Sequence, residues 1–245
     1  MAKCGERRVA GNLIRFDSTQ ECWRRCLEWS QFEKRHKDVE DWNRTSGHLK
    51  KAITVSAVRF GVGHGAPFEQ AFAVVQVLLD GSVNIAAGGV EMGQGLNTKI
   101  AQVAAETLKL PISRIHVGDS TSEKTANAPV TGGSQGSDMH GKAVREACLR
   151  LLEGLKPATS EDGWEATILR AFQMQIPLSV GHHCVLTRKG IDYDDHEPFY
   201  HTSGAACIEV LLTSVDIVMD CGDSLNPAVD IGQIEGAFVQ GAGLY

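Results

Sequence analysis

The feature that most constrains this chain is a strict two-residue alternation from Ala71 to Leu79, ending on Asp80-Gly81. Ala71, Ala73, Val75, Val77 and Leu79 fall on one side of an extended chain. Phe72, Val74, Gln76 and Leu78 fall on the other, because successive strand side chains point to opposite faces. Asp-Gly is the dipeptide that a type I′ turn favours, since both central residues need positive φ. Val83 to Ala87 reads as the return strand. A glycine-rich stretch, Gly88-Gly89-Val90-Glu91-Met92-Gly93-Gln94-Gly95, comes next. A helix over about 98–108 follows it, with Asn97 as N-cap and Ile100, Val103, Ala104 and Leu108 as its buried stripe.

The remaining elements alternate without a strict βα rhythm. Residues 19–43 read as one amphipathic helix carrying Cys22, Trp23, Cys26, Leu27 and Trp29, and 45–51 as a linker. Ala52–Phe60 and Ile112–Val117 read as strands. A small-residue loop, Thr131–Ser137, opens a helix with the stripe Val144, Ala147, Cys148, Leu151 and Leu155, ended by Lys156-Pro157. Trp164–Phe172 reads as helix and Gly181–Pro198 as irregular. Ser203–Leu212 and Ser214–Asp220 read as strands, and Gly232–Gln240 as a short helix. This mixture predicts an α+β fold.

Several function classes are excluded early. A net charge of −6 over 245 residues disfavours a nucleic-acid partner. No apolar run approaches the roughly 20 residues of a membrane span, and no secretory signal opens the chain. Seven scattered cysteines argue against a disulfide framework and for a reducing, cytoplasmic setting. Cys22 and Cys26, and His182-His183-Cys184, lack the partner pairs that a metal site needs, so no protein-ligated metal is expected. Gly95-Leu96-Asn97-Thr98-Lys99 has the wrong order for a P-loop. Gly61-Val62-Gly63-His64-Gly65 runs into Pro67 and a second strand, unlike a dinucleotide fingerprint. Ser137-Asp138 with His140 is a local helix start, not a nucleophile and its base. What remains is three small-residue loops that each run into a helix, where unpaired N–H groups and partial positive charge suit an anionic or strongly accepting ligand.

These segments carry a resemblance. The stretch from Gly88 to Lys99 resembles the pterin-binding loop of the xanthine dehydrogenase/aldehyde oxidase family. Asp216-Ile217-Val218-Met219-Asp220 and the run from Ser224 to Gly241 are similar to a second family stretch. Thr131–Gly141, Gly204–Val210 and the helix around Glu21-Cys22-Trp23 fit in the same order. The resemblance implies an incomplete molybdopterin-binding domain, with a helical part about 1–50 and a cofactor-binding part about 52–245. It implies a molybdenum–molybdopterin cofactor whose metal takes no side-chain ligand. Gln94 and Gln233 would hydrogen-bond it with their amides. Gly95, Gly133, Ser134, Gln135, Gly136 and Ser137 would add backbone and hydroxyl groups. His64 stands where the family has an aromatic ring against the substrate, and Gly65 where purine-oxidising members carry a polar residue.

The implied parent reaction is hydroxylation of an aldehyde or N-heterocycle, xanthine and hypoxanthine among them, with water as oxygen source. The parent is a homodimer that also carries [2Fe–2S] and FAD, which this chain would not bind. By the same resemblance the catalytic glutamate falls beyond Tyr245, so no catalytic residue is assigned, Glu91 and Glu235 are structural, and the chain alone is expected to be inactive. Its partners would be the remaining domains of the enzyme and, through them, a small-molecule substrate. A non-catalytic fragment or interaction module is the alternative. Two structural expectations follow. Gln94, Ser134 and Gln233 should converge. The hairpin between Val210 and Val215, which lacks a turn-forming residue in Leu211-Leu212-Thr213-Ser214, should fail to close, leaving an edge exposed.

Overall fold

A computed structural model of the chain describes residues 17–46, 51–63, 68–185, 200–211 and 215–242. His64 and Gly65 lie outside the described residues. The fold is α+β and divides into two compact units, one within Met1–Val62 and Glu197–Asp223, the other within Gly63–His196 and Ser224–Tyr245.

The first unit is a three-stranded antiparallel sheet in the order β1-β6-β7, formed by β1 (Ala52–Val62), β6 (Tyr200–Val210) and β7 (Val215–Asp220). Two helices, α1 (Thr19–Trp29) and α2 (Phe32–Thr45), stand where the periodicity suggests one. The break is at Gln31, which adopts left-handed geometry with φ 51°. Just before it, Ser30 turns its hydroxyl onto the carbonyl of Cys26 at 2.6 Å, the back-bonding that lets serine compete with a helix ladder. Cys22 and Cys26 pack on Ala205, Cys207 and Val218. Arg35 bridges the two neighbouring strands, meeting Glu209 at 3.1 Å and Asp216 at 2.6 Å. Glu209 is thus a buried charge with partners, as burial demands.

The hairpin expected to fail does close. Val215 pairs with Ile208, and the register runs on to Asp220 opposite Ser203. The chain reverses through Leu211, a non-glycine residue at φ 100°, and residues 212–214 lie outside the described set. Strand pairing over six registered pairs outweighs the unfavourable geometry of one residue. Apolar exposure arises elsewhere, on one face of this sheet. Val58, Phe60 and Met219 are 52%, 59% and 38% exposed, and Val58, Gly204 and Met219 are in register across the strands.

The second unit has a four-stranded sheet in the order β4-β3-β2-β5. Its strands are β2 (Gln70–Val77), β3 (Val83–Ala87), β4 (Ile115–Val117) and β5 (Ser179–Val185). The first part of the segment read as irregular is therefore β5, paired along β2; residues 186–199 lie outside the described set. The β2–β3 connection is not type I′. Gly81 has φ 81° while Asp80 does not have positive φ, Gly81 N–H donates to the Leu78 carbonyl, and Leu78 N–H to that of Ser82. This is the three-residue alternative, a turn followed by a left-handed glycine.

Helices α3 (Leu96–Leu108), α4 (Gly136–Leu155) and α5 (Trp164–Gln173) bury their stripes in the core of the second unit. The alternation reads out directly: Ala71, Ala73, Val75 and Val77 meet Val83, Ile85 and Ala87 in one buried layer. β3 and β4 are parallel, with α3 as the crossover between them. The last helix, α6 (Pro227–Ala242), is longer than expected, and none of residues 227–241 is fully buried.

Two outcomes are expected. Leu151→Ala, which empties a site only 1% exposed, should cost about 2–5 kcal/mol in denaturant unfolding, whereas Leu169→Ala on the exposed face of α5 should cost less than about 0.5 kcal/mol. The apolar sheet face should bind a hydrophobic dye, and Phe60→Ser should reduce that fluorescence without lowering the unfolding midpoint.

Candidate functional site

The loop from Gly88 to Gly95 is built around one carboxylate. Glu91 accepts hydrogen bonds from the backbone N–H groups of Gly93 at 2.9 Å, Gly95 at 3.0 Å and Asn97 at 2.9 Å. The N-cap of α3 is therefore Gly95, at φ 74°, and not Asn97. A side chain six residues away captures the N–H groups that an N-cap would have served. Burial pushes the Glu91 carboxyl up, but the N–H groups of Asn97, Gly95 and Gly93 hold it below its ordinary value of 4.5. Gln94 completes the loop: its Oε1 accepts from Met92 N–H at 2.6 Å and its Nε2 donates to the Val90 carbonyl at 2.8 Å.

Two other elements attach to this loop. Val90 N–H donates to Thr131 Oγ1 at 3.0 Å, tying it to the second small-residue loop. On the other side, Gln233 Nε2 of α6 donates to the Gly93 carbonyl at 2.7 Å. Lys99 of α3 pairs with Asp230 of α6 at 3.2 Å, and an added Cβ on Gly95 would lie 2.5 Å from Val229. Gln94 and Gln233 are thus brought to one loop. Ser134, exposed and at φ 57°, stands beside Gly133 at φ 62° on the loop that Thr131 anchors. Gly63 N–H donates to the Gly133 carbonyl at 2.8 Å, and Gln135 Nε2 to the Phe68 carbonyl at 3.3 Å. The described residues on either side of 64–67 are thereby both fastened to that loop.

The three helix starts differ. The Glu91 carboxylate serves α3. The Asn226 side chain and carbonyl accept from Val229 at the start of α6. The N-cap of α4, Gln135, makes no side-chain cap bond. Nearby, Gln135 Oε1 and His140 Nδ1 are buried with no hydrogen-bond partner among the described residues, an arrangement native proteins rarely tolerate unless something else supplies the missing group. The His140 ring lies under Gly89, where an added Cβ would come within 2.7 Å of it, and burial pushes its pKa down to about 4. Backbone N–H groups at a helix start, with unpartnered buried polar atoms close by, fit a pterin, which presents both N–H and acceptor edges.

His140 lay outside the candidate residues because helical spacing assigns it only to the face of α4. Its position under Gly89 depends on a contact between residues far apart in sequence. The Lys99–Asp230 pair was equally invisible. Among the described residues, no group of three or more His, Cys, Asp or Glu side chains is placed to hold a metal ion, and no helix is long and apolar enough to cross a membrane.

Acid should weaken this site in two steps. His140 titrates near 6.5 when unfolded and about 4 when folded. The unfolded state therefore binds its proton first, and stability present above pH 6.5 is lost as pH falls toward 4, by about 3 kcal/mol at most. Glu91 is also depressed, so its contribution is present above 4.5 and lost as pH falls further. His140→Asn should flatten the first limb of unfolding free energy against pH, while the amide NMR signals of Gly93, Gly95 and Asn97 should titrate together with a midpoint below 4.5.

Comparison with known proteins gives a consistent picture. The sequence profile of the molybdopterin cofactor-binding domain family matches residues 25–245. A probable aldehyde oxidase of Caenorhabditis elegans is 43% identical over 98% of this chain and 20% of its own length. A xanthine dehydrogenase/oxidase of Rattus norvegicus is 38% identical over 96% of this chain and 19% of its own. Among solved structures, an aldehyde oxidoreductase from Desulfovibrio desulfuricans superposes with a TM-score of 0.78 at 25% identity, over 99% of this chain and 28% of that one. The chain thus spans about a fifth of the length of these sequence relatives.

Proposed function

The chain belongs to the molybdopterin cofactor-binding domain family, and from that premise we propose that it grips the pterin of a molybdenum hydroxylase acting on an aldehyde or N-heterocycle with water as oxygen source. The observation that carries this reading is the hydrogen-bonded union of the Gly88–Gly95 loop, the Thr131–Ser137 loop and α6. A glutamine amide has two N–H donors and an oxygen with two lone pairs. Gln94 spends one donor and one lone pair on the loop, and Gln233 one donor, so each can still offer a hydrogen bond to the cofactor.

In this reading Gly136 and Ser137 present backbone N–H groups from the start of α4, and Gly133, Ser134 and Gln135 shape the loop around the pterin. The bound cofactor supplies the redox chemistry, while the protein supplies orientation and hydrogen bonds. Glu91 keeps Gly95 in the left-handed geometry that opens the loop. We assign His64 and Gly65 to the substrate pocket, and the iron–sulfur, flavin and base functions to the rest of the whole protein, which we take to be a cytoplasmic homodimer.

The test is cofactor retention in the whole enzyme. Gln233→Leu should lower molybdenum, measured by mass spectrometry, and pterin, measured by fluorescence after oxidation, in parallel and by roughly tenfold, the scale of lost outer-shell contacts at metal sites. Gln240→Leu, exposed on the same helix, should leave both unchanged. Full cofactor content in the Gln233 variant would overturn the assignment.

A further inference from the structure

Helix α6 is fastened to the Gly88–Gly95 loop and to α3 by a row of polar contacts. At one end Gln233 Nε2 donates to the Gly93 carbonyl at 2.7 Å. In the middle Lys99 meets Asp230 at 3.2 Å. At the other end Gln102 Nε2 donates to the Leu225 carbonyl at 3.0 Å, and Asn226 Nδ2 donates to Gln102 Oε1 at 3.2 Å. The partners run in opposite order along the two segments, Gly93, Lys99 and Gln102 against Gln233, Asp230 and Asn226. On α6, Asp230 and Gln233 are one turn apart and so lie on the same side of the helix.

These contacts are unequal. The side chains of Lys99 and Asp230 are 15% and 20% exposed, so salt screens the pair less than it would a surface pair. Removing either partner leaves a sheltered charge without its counter-ion, which is strongly destabilising. Ser224 donates its hydroxyl to the second oxygen of Asp230, which holds the carboxylate in place with its first oxygen on Lys99. The Gln102 contacts are neutral, and water can replace them at a modest loss. Gln233 is exposed, and its long side chain stays on Gly93 only while its helix is held. No residue of 227–241 is fully buried, so a hydrophobic stripe does not do that holding. Val229 in the space beside Gly95 adds an apolar contact, but a valine can slide where an ion pair fixes a register.

We propose that Lys99 and Asp230 are positioning residues that latch α6 against the Gly88–Gly95 loop, and that this pair sets how fast the site opens to release its cofactor. The second half of the proposal rests on the pterin reading given above; the first half does not. With the pair intact, Gln233 is presented at the loop with one N–H on Gly93 and the other free. With the pair broken, α6 moves away as a unit, Gln233 leaves Gly93, and the outer side of the loop is uncovered. Glu91 still holds the loop itself, so opening is local to α6.

Two measurements test it. In the full chain without cofactor, amide hydrogen exchange is followed by mass spectrometry. Lys99→Met and Asp230→Asn should each speed exchange over 227–242 by roughly tenfold through local opening, while α4 and β2 keep their protection. Lys99→Arg, which retains the charge, should stay close to the parent chain. The double variant should be no faster than the faster single one, because both remove the same contact. Lys109→Met, which breaks the exposed pair with Glu106 on the same helix, should change nothing. In the whole enzyme, Lys99→Met should release pterin, read by fluorescence after oxidation, roughly tenfold faster, and Lys99→Arg should restore slow release. Unchanged exchange over 227–242 in both single variants would overturn the latch, and so would faster exchange spread equally through α4. Faster exchange with unaltered release would overturn its control of the cofactor. Failure of the pterin reading itself is distinguishable, since it shows as full cofactor content in Gln233→Leu and leaves the exchange result in the cofactor-free chain untouched.

Discussion

One carboxylate organises the loop that we propose faces the cofactor. The loop after β3 must reverse direction, start a helix and leave its outer surface free, and its backbone N–H groups would otherwise point at nothing. Glu91 gathers three of them. Hydrogen bonds to a charged acceptor are worth about 1.5–3 kcal/mol each at most, enough together to hold a short glycine-rich segment in a single shape. Gln94 then closes the same loop from inside. The loop's own hydrogen bonds thus define its shape with no ligand present, which favours a precise grip.

The third element attaches to that loop. Helix α6 buries no residue fully over 227–241, so it is not fixed by a hydrophobic stripe. It is held by Gln233 on the Gly93 carbonyl, by Lys99 on Asp230, and by Val229 filling the space that glycine leaves at position 95. Of these, the Lys99–Asp230 pair is sheltered, with side chains 15% and 20% exposed, and so is screened less than a surface pair. Gly95 does two things at once: it takes the left-handed φ, and it lets α6 approach. Any side chain there would conflict with both.

The buried polar groups have a different logic in each unit. In the first, Arg35 meets Glu209 and Asp216, and Glu209 also meets Lys51 at 3.5 Å; the charges satisfy one another and knit β6 to β7. In the second, the oxygen of Gln135 and Nδ1 of His140 have no partner among the described residues, close to the start of α4, whose N-cap makes no side-chain cap bond. An unsatisfied buried polar atom costs about 1–3 kcal/mol, and its presence beside a glycine-rich loop is what a binding site, rather than a structural core, would show.

The sequence by itself determined the elements whose burial is periodic. The alternation through Val75 and Val77 and the helical stripe through Val144, Ala147 and Leu151 place their side chains on one face whatever the rest of the chain does, because strand and helix periods are fixed by backbone geometry. It also determined which loops carry the glycine, serine and glutamine, and Gln94 and Gln233 do meet one loop. Tertiary structure decided what depends on distant partners. The closure of the β6–β7 hairpin through Leu211 and the pairing of β5 with β2 each override a local preference by long-range pairing. Glu91 displaced Asn97 as the cap, and His140 became the prop under Gly89, because the cost of unpaired buried groups is settled by whichever atom arrives in space, and no spacing in the sequence records that arrival.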